Sequence, residues 1–169
     1  VVAMKAHFTM FARYNSWANE RLYEAAGKLN DAEYRADRGA FFKSMHGTLN
    51  HLLVTDRVWM RRITGEGDGA GYRLDQILFE DFSALRAARA AEDQRIVSYL
   101  TELAPEGFSG AISYSRVSTP EKFTQPLAAA LSHLFNHQTH HRGQAHAILT
   151  GLVGAAPELD LLYFQRIAG

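Results

Sequence analysis

Cysteine is absent from the 169 residues. That absence excludes a disulfide scaffold, a thiolate metal ligand and a thiol nucleophile belonging to the protein, and it suits a reducing compartment. Any reactive thiol must come from outside the chain. An excess of one charge sign is missing too: lysine plus arginine and aspartate plus glutamate number 18 each. Such a balance gives no electrostatic reason to expect nucleic acid or an anionic membrane as partner. No apolar run approaches the roughly 18 residues needed to span a bilayer. The N-terminal stretch "VVAMKAHFTMFARYNSW" is interrupted by Lys5, His7 and Arg13, unlike the apolar core of a secretory signal. A cytoplasmic location is therefore expected.

What is present resembles an ordinary globular chain, with 47% hydrophobic and 21% charged residues. At this length one domain over residues 1–169 is expected, and folding buries roughly 70% of the unfolded surface. Apolar residues at three- and four-residue steps predict a long helix from about Met4 to Lys28, through Phe8, Phe11, Ala18 and Leu22. A second is predicted from Phe41 to Thr64, carrying Phe41, Met45, Leu49, Leu52 and Met60 and ended by Gly65. The loop "GEGDGAGYRLD" follows. A third, alanine-rich and weakly amphipathic, is predicted from Asp81 to Leu103, burying Leu85, Ala88, Ile96, Tyr99 and Leu103. A fourth starts near Pro126 and runs to Thr150, with Gly151 as its stop. Alternation and β-branching in "GAISYSRVSTPEKFTQ" predict a short β-hairpin in the crossover before this last long helix, and "PELDLLYF" predicts a short terminal helix. The fold class is all-α, and four helices of similar length point to a four-helix bundle.

The chain has eight histidines, and "LSHLFNHQTHHRGQAH" crowds His133, His137, His140, His141 and His146 together. At about 100° per residue, His137 and His141 lie about 40° apart, one turn from each other on one helical face. Ala130, Leu134, Ala145 and Ile148 fall within about 80° of His137, so the pair points into the buried stripe. His133 and His140 fall on its margin and His146 points away. Two imidazoles in an apolar stripe carry a hydrogen-bonding demand that a divalent ion satisfies. The best third ligand is His51 in "TLNHLLVTDRVW", flanked by Leu49, Leu52 and Leu53. Three neutral imidazoles leave a coordination position open, as in catalytic sites. His7, His46 and His146 read as surface residues.

In "YNSWANERLY", "SMHGTLNHLLVTDRVWMRRITG", "LSHLFNHQTHHRGQAHAILTG" and "PELDLLYF" the chain resembles the DinB/YfiT-like metalloenzyme family, named for a DNA-damage-inducible DinB-like protein. The resemblance covers nearly the whole chain. It implies a four-helix bundle of up-down-down-up topology, often a homodimer, with a divalent metal held at positions matching His51, His137 and His141. It also implies metal-dependent transferase or isomerase chemistry using low-molecular-weight thiols such as bacillithiol, mycothiol or glutathione. The crossover "SRVSTPEKF" departs from the family in lacking the glycine often seen at the hairpin tip.

The expected activity is that of a metal-dependent enzyme activating water or such a thiol against a small-molecule substrate, transferase-like or hydrolase-like. Zinc, nickel and iron all suit three imidazoles. Asn15, His133, His140 and Gln144 are the candidate hydrogen-bonding shell, with Tyr14 and Trp59 packing around it. The alternative is a stress-response protein that holds metal or a ligand without chemistry. Asp56, about 140° from His51, reads as a structural ion pair or cap. "GEGDGA" follows a helix and carries two acids, so it reads as a loop and not a dinucleotide fingerprint. No G-x-S-x-G elbow or Glu-x-x-His pair supports a serine hydrolase or di-iron oxidase. The arginines of "DRVWMRR" could attract an anion, but a solvated helix end is the preferred reading.

Overall fold

The apolar stripe beginning at Phe8 winds into helix α1, Val2–Ala26, in a computed structural model that describes residues 2–116 and 119–168. The chain is mostly helical. A short helix α2, Asp31–Arg35, follows; its signal is the capping box of Asn30 and Glu33, whose side chains each bond the other's backbone N–H. Helix α3, Met45–Thr64, is capped at its start by Ser44, whose hydroxyl accepts from the Gly47 N–H at 3.0 Å. Helix α4, Phe82–Glu102, starts at Asp81, which accepts from the Ala84 N–H at 2.8 Å. A 3-10 turn at Pro105–Ser109 leads to strands β1, Ala111–Ser115, and β2, Lys122–Pro126. These pair antiparallel from Ala111 opposite Pro126 to Ser115 opposite Lys122, as the alternation predicts. Residues 117–118 of "SRVSTPEKF", the stretch expected to depart from the family in lacking a glycine, lie outside the described residues. Helices α5, Leu127–Val153, and α6, Leu161–Ala168, complete the chain.

Two boundaries differ from expectation by three residues or more. The second predicted helix begins four residues late, because Ala40 to Lys43 form a tight turn with Lys43 at φ 69° before Ser44 caps the helix. Phe41 is thereby left 81% exposed instead of joining the apolar face. Helix α5 runs through Gly151 to Val153; Gly154, left-handed at φ 73°, takes the cap, its N–H bonding the Thr150 carbonyl at 2.9 Å.

Helix α1 packs on α4 and α5, and α3 packs on α5 and α4. One apolar core gathers Phe8, Met60, Ile96, Phe108, Leu131 and Leu134; another gathers Leu22, Tyr23, Met45, Leu49, Leu85 and Ile148. Between them lies a buried polar network to which all four long helices contribute. Arg142 of α5 donates to Asn15 and Asn19 of α1, at 2.7 and 2.8 Å. Both asparagines donate to Asp93 of α4. Arg89 bridges Asp93, at 2.7 Å, to Asp56 of α3. These buried charges explain why α4 is so weakly amphipathic in sequence: Arg89, Glu92 and Asp93 interrupt its inward face. Asp56 is an ion-paired structural residue, as its angle from His51 implies. Among the described residues no helix is long and apolar enough to cross a membrane.

Candidate metal centre

His51, His137 and His141 converge between α3 and α5, each offering a ring nitrogen within 4.8 Å of those of the other two. The pair on α5 is one turn apart, with ring centroids 4.4 Å from each other; His51 reaches them from the facing helix, its ring 4.4 Å from His141 and 5.2 Å from His137. Leu134, Ala130, Ala145 and Ile148 are buried, as the helical wheel requires of residues sharing the His137 face. His51 and His141 are themselves buried and His137 is half-buried.

Hydrogen bonds fix which nitrogen His51 and His141 present. Nδ1 of His51 lies 2.7 Å from the Leu74 carbonyl, which can only accept, so Nδ1 carries the proton and Nε2 keeps a lone pair. Nδ1 of His141 lies 2.7 Å from Oε1 of Gln144 and is oriented in the same manner. Nε2 of His51 and Nε2 of His137 face each other at 3.3 Å, while Nδ1 of His137 is buried without a partner among the described residues. Burial holds all three imidazoles neutral: it pushes His51 down to about 4 and His137 to about 3, with further lowering by neighbouring histidines, and it lowers His141 as well.

Residues that no helical periodicity marks complete the site. Phe42 stacks on His51 with ring centroids 3.6 Å apart and meets His141 edge-on at 5.5 Å. Its backbone sits against the first turn of α3 because residue 47 is glycine: a Cβ there would lie 2.2 Å from the Phe42 carbonyl oxygen. Asn50 accepts from the N–H groups of Leu78 and Phe79, tying to α3 the loop that brings the Leu74 carbonyl over His51. An asparagine beside a histidine in an apolar run, as in "TLNHLL", is the only trace of this in the sequence.

The other candidates lie elsewhere or further out. Gln144 bonds His141. His140 is exposed, its ring 4.7 Å from His141. His133, also exposed, sits between His137 at 5.7 Å and Trp59 at 4.8 Å. Asn15 is committed to Asp93 and Arg142 in the buried network. Tyr14 packs on Phe164 and donates to the Leu159 carbonyl. Of the histidines expected at the surface, His7 is exposed and His146 is half-buried, 3.0 Å from the Pro157 carbonyl. His46 is only 6% exposed, contrary to expectation. Its ring is covered by Tyr34, whose hydroxyl lies 3.0 Å from Nδ1, and Nε2 lies 3.3 Å from the Glu80 carboxylate.

Comparison with known sequences places nearly the whole chain in one family. Protein DinB of Bacillus subtilis (strain 168) is 24% identical over 160 residues, covering 90% of this chain and 91% of that protein. The DinB family pattern matches residues 4–168, nearly the full length, and the chain belongs to the DinB family.

Proposed function

We propose that His51, His137 and His141 bind one divalent metal ion through their Nε2 atoms, and that the protein is a metal-dependent enzyme acting on a small molecule with water or a low-molecular-weight thiol. The observation that carries this is the meeting of ring nitrogens. With Nδ1 of His51 committed to Leu74, its Nε2 is a lone pair aimed at His137. If His137 donates from Nε2, its buried Nδ1 is an acceptor without a partner; if it does not, two lone pairs oppose each other at 3.3 Å. A shared cation between the two Nε2 atoms removes the opposition of lone pairs and leaves Nδ1–H of His137 as the one ring group without a partner among the described residues; 3.3 Å matches the ~3.3 Å between two nitrogens bound tetrahedrally at about 2.0–2.1 Å from zinc.

When bound, such an ion supplies Lewis acidity that lowers the pKa of a coordinated water or thiol. The chain's own residues then hold the geometry. Leu74 and Gln144 fix two rings in their tautomers and orientations. Phe42 covers one face of His51 and restricts water there. Helical pairs α1–α4, α1–α5, α3–α5 and α3–α4 support the up-down-down-up bundle as the frame that keeps the two ligand helices in register.

Elemental analysis of untagged protein tests the assignment: one equivalent of zinc, nickel or iron is expected, lost in His137→Ala and His51→Ala. Undiminished metal in both variants refutes it. The enzymatic part is tested by presenting electrophiles with bacillithiol, mycothiol, glutathione or water; metal-loaded protein that never outpaces the metal-free form leaves a binding protein.

A further inference from the structure

The three arginines at the end of α3 do not share one fate. Arg57 pairs with Asp68 at 3.6 Å, and Arg61 donates to the Gly67 carbonyl at 2.6 Å. Arg62 is half-buried and, among the described residues, neither ion-paired nor hydrogen-bonded. Its guanidinium carbon lies over the rings of Trp59 and Tyr114, at 4.7 and 4.5 Å. Aromatic contacts offset part of the cost of desolvating the charge. They supply no carboxylate or carbonyl to its five N–H donors.

Arg62 lines a cavity of about 490 Å³ between the end of α3 and strand β1, together with Arg61, Gly69, Ser113, Tyr114 and Ser115. The glycine-rich run forms one wall. Gly69, at φ 125°, lets the loop lie against α3, since a Cβ there would come within 2.9 Å of the Arg57 carbonyl. Of the two acids in that run, Asp68 is taken up by Arg57 and Glu66 is exposed and not in the lining. The charge facing the cavity is therefore positive.

Arg62 also lies on the same face as His51. Eleven residues are three turns, about 20° of rotation and about 16 Å along the axis. Trp59 and His133 form the strip between, with rings 4.8 Å apart and His133 5.7 Å from His137.

We propose that Arg62, clamped by Trp59 and Tyr114 at this cavity, is the anion-recognising residue of a ligand subsite that takes a carboxylate or phosphate group. Combined with the metal-centre reading, on which this extension rests, the molecule handled at the histidines carries an anionic group remote from its reacting end. Long side chains on a helix lean back toward its N-terminus, so the span between the two groups is on the order of 10 Å.

The test uses Trp17→Phe protein, which leaves Trp59 as the only tryptophan beside Arg62. It is titrated metal-free, at constant ionic strength, with inorganic phosphate and separately with succinate. A saturable change in Trp59 emission is expected, abolished in Arg62→Gln and weakened several-fold in Arg62→Lys, which lacks the planar fork. The Nε–H resonance of Arg62 in ¹⁵N-labelled protein should shift with the same midpoint, a measurement that needs no charge-removing variant. A response that never saturates, or that Arg62→Gln retains, overturns the subsite. His137→Ala separates the two readings: it should keep the anion response whatever its effect on metal, and losing the response would move the anion to the histidines and overturn the assignment to Arg62.

Discussion

Phe42 lies face to face on the imidazole of His51, 3.6 Å between centroids and 16° from parallel. The contact depends on an atom that is missing elsewhere, the Cβ of Gly47, whose place is 2.2 Å from the Phe42 carbonyl oxygen. Gly47→Ala must push that backbone off the helix. We expect a loss of about 1–3 kcal/mol, the usual cost of overpacking, together with faster metal release to a chelator. Phe42→Ala should speed release with the backbone left in place. Release at the wild-type rate in both variants would show that the ring does not guard the centre.

Gln144 acts on the centre through His141, whose Nδ1–H it accepts at 2.7 Å. Replacing it with leucine removes the acceptor and frees the ring to turn. Metal affinity should fall about 10- to 100-fold, read by competition with a chromophoric chelator, while Gln144→Glu restores an acceptor and should retain binding. Equal affinities across the three proteins would contradict an orienting role.

The stability of metal-free protein should fall on acidification. Burial depresses His51 to about 4 and His137 to about 3, below the roughly 6.5 of an unfolded histidine. Between those values the unfolded chain binds more protons, so the stability these groups contribute is present above about pH 6.5 and is lost as pH drops toward the folded values. Asp56 opposes this. Burial raises it to about 7 against the pull of Arg89, so its contribution is present below about pH 4 and is lost as pH rises through about 7. Urea midpoints from about pH 4 to 8 should show a slope that is shallower in His137→Ala at the acid end and altered near neutrality in Asp56→Asn. Unchanged profiles in both would remove these groups as its cause.

Arg89 holds Asp56 and Asp93 together within the core. Arg89→Met leaves the buried Asp56 carboxylate without a partner and strips Asp93 of its ion pair, leaving it only the Asn15 and Asn19 amides, and should cost about 3–5 kcal/mol in urea unfolding. The triple change with Asp56→Leu and Asp93→Leu should recover part of that, since hydrophobic replacement of a whole buried ionic cluster is often tolerated. A single variant as stable as wild type would show that the carboxylates are solvated or protonated without strain.

The parts of the site that share one helix were the legible ones. A spacing of four placed His137 and His141 on one face, and apolar flanks singled out His51, because helical angle is a property of sequence separation. Groups contributed by loops were not legible in this way. The Leu74 carbonyl is a backbone atom with no residue-type signature, and Phe42 reaches the centre from a turn whose path depends on Gly47. The same limit explains His46 and Asn15. One is covered by Tyr34 from a short helix, and the other turns to Asp93 and Arg142 on two helices whose contacts no single-helix periodicity encodes. Helix ends were read to within a few residues, missing where a second glycine, Gly154, offered the left-handed cap that Gly151 does not adopt.

Two of the three imidazoles ride on one helix and the third on another, so any axial slip between α3 and α5 pulls the trio apart. An ion held there acts as a rivet between segments 86 positions apart in the chain. At a free concentration one hundred times its dissociation constant it would add about 2.7 kcal/mol to the folded state. Thermal resistance would then track metal supply, and a metal-starved cell would hold a looser molecule.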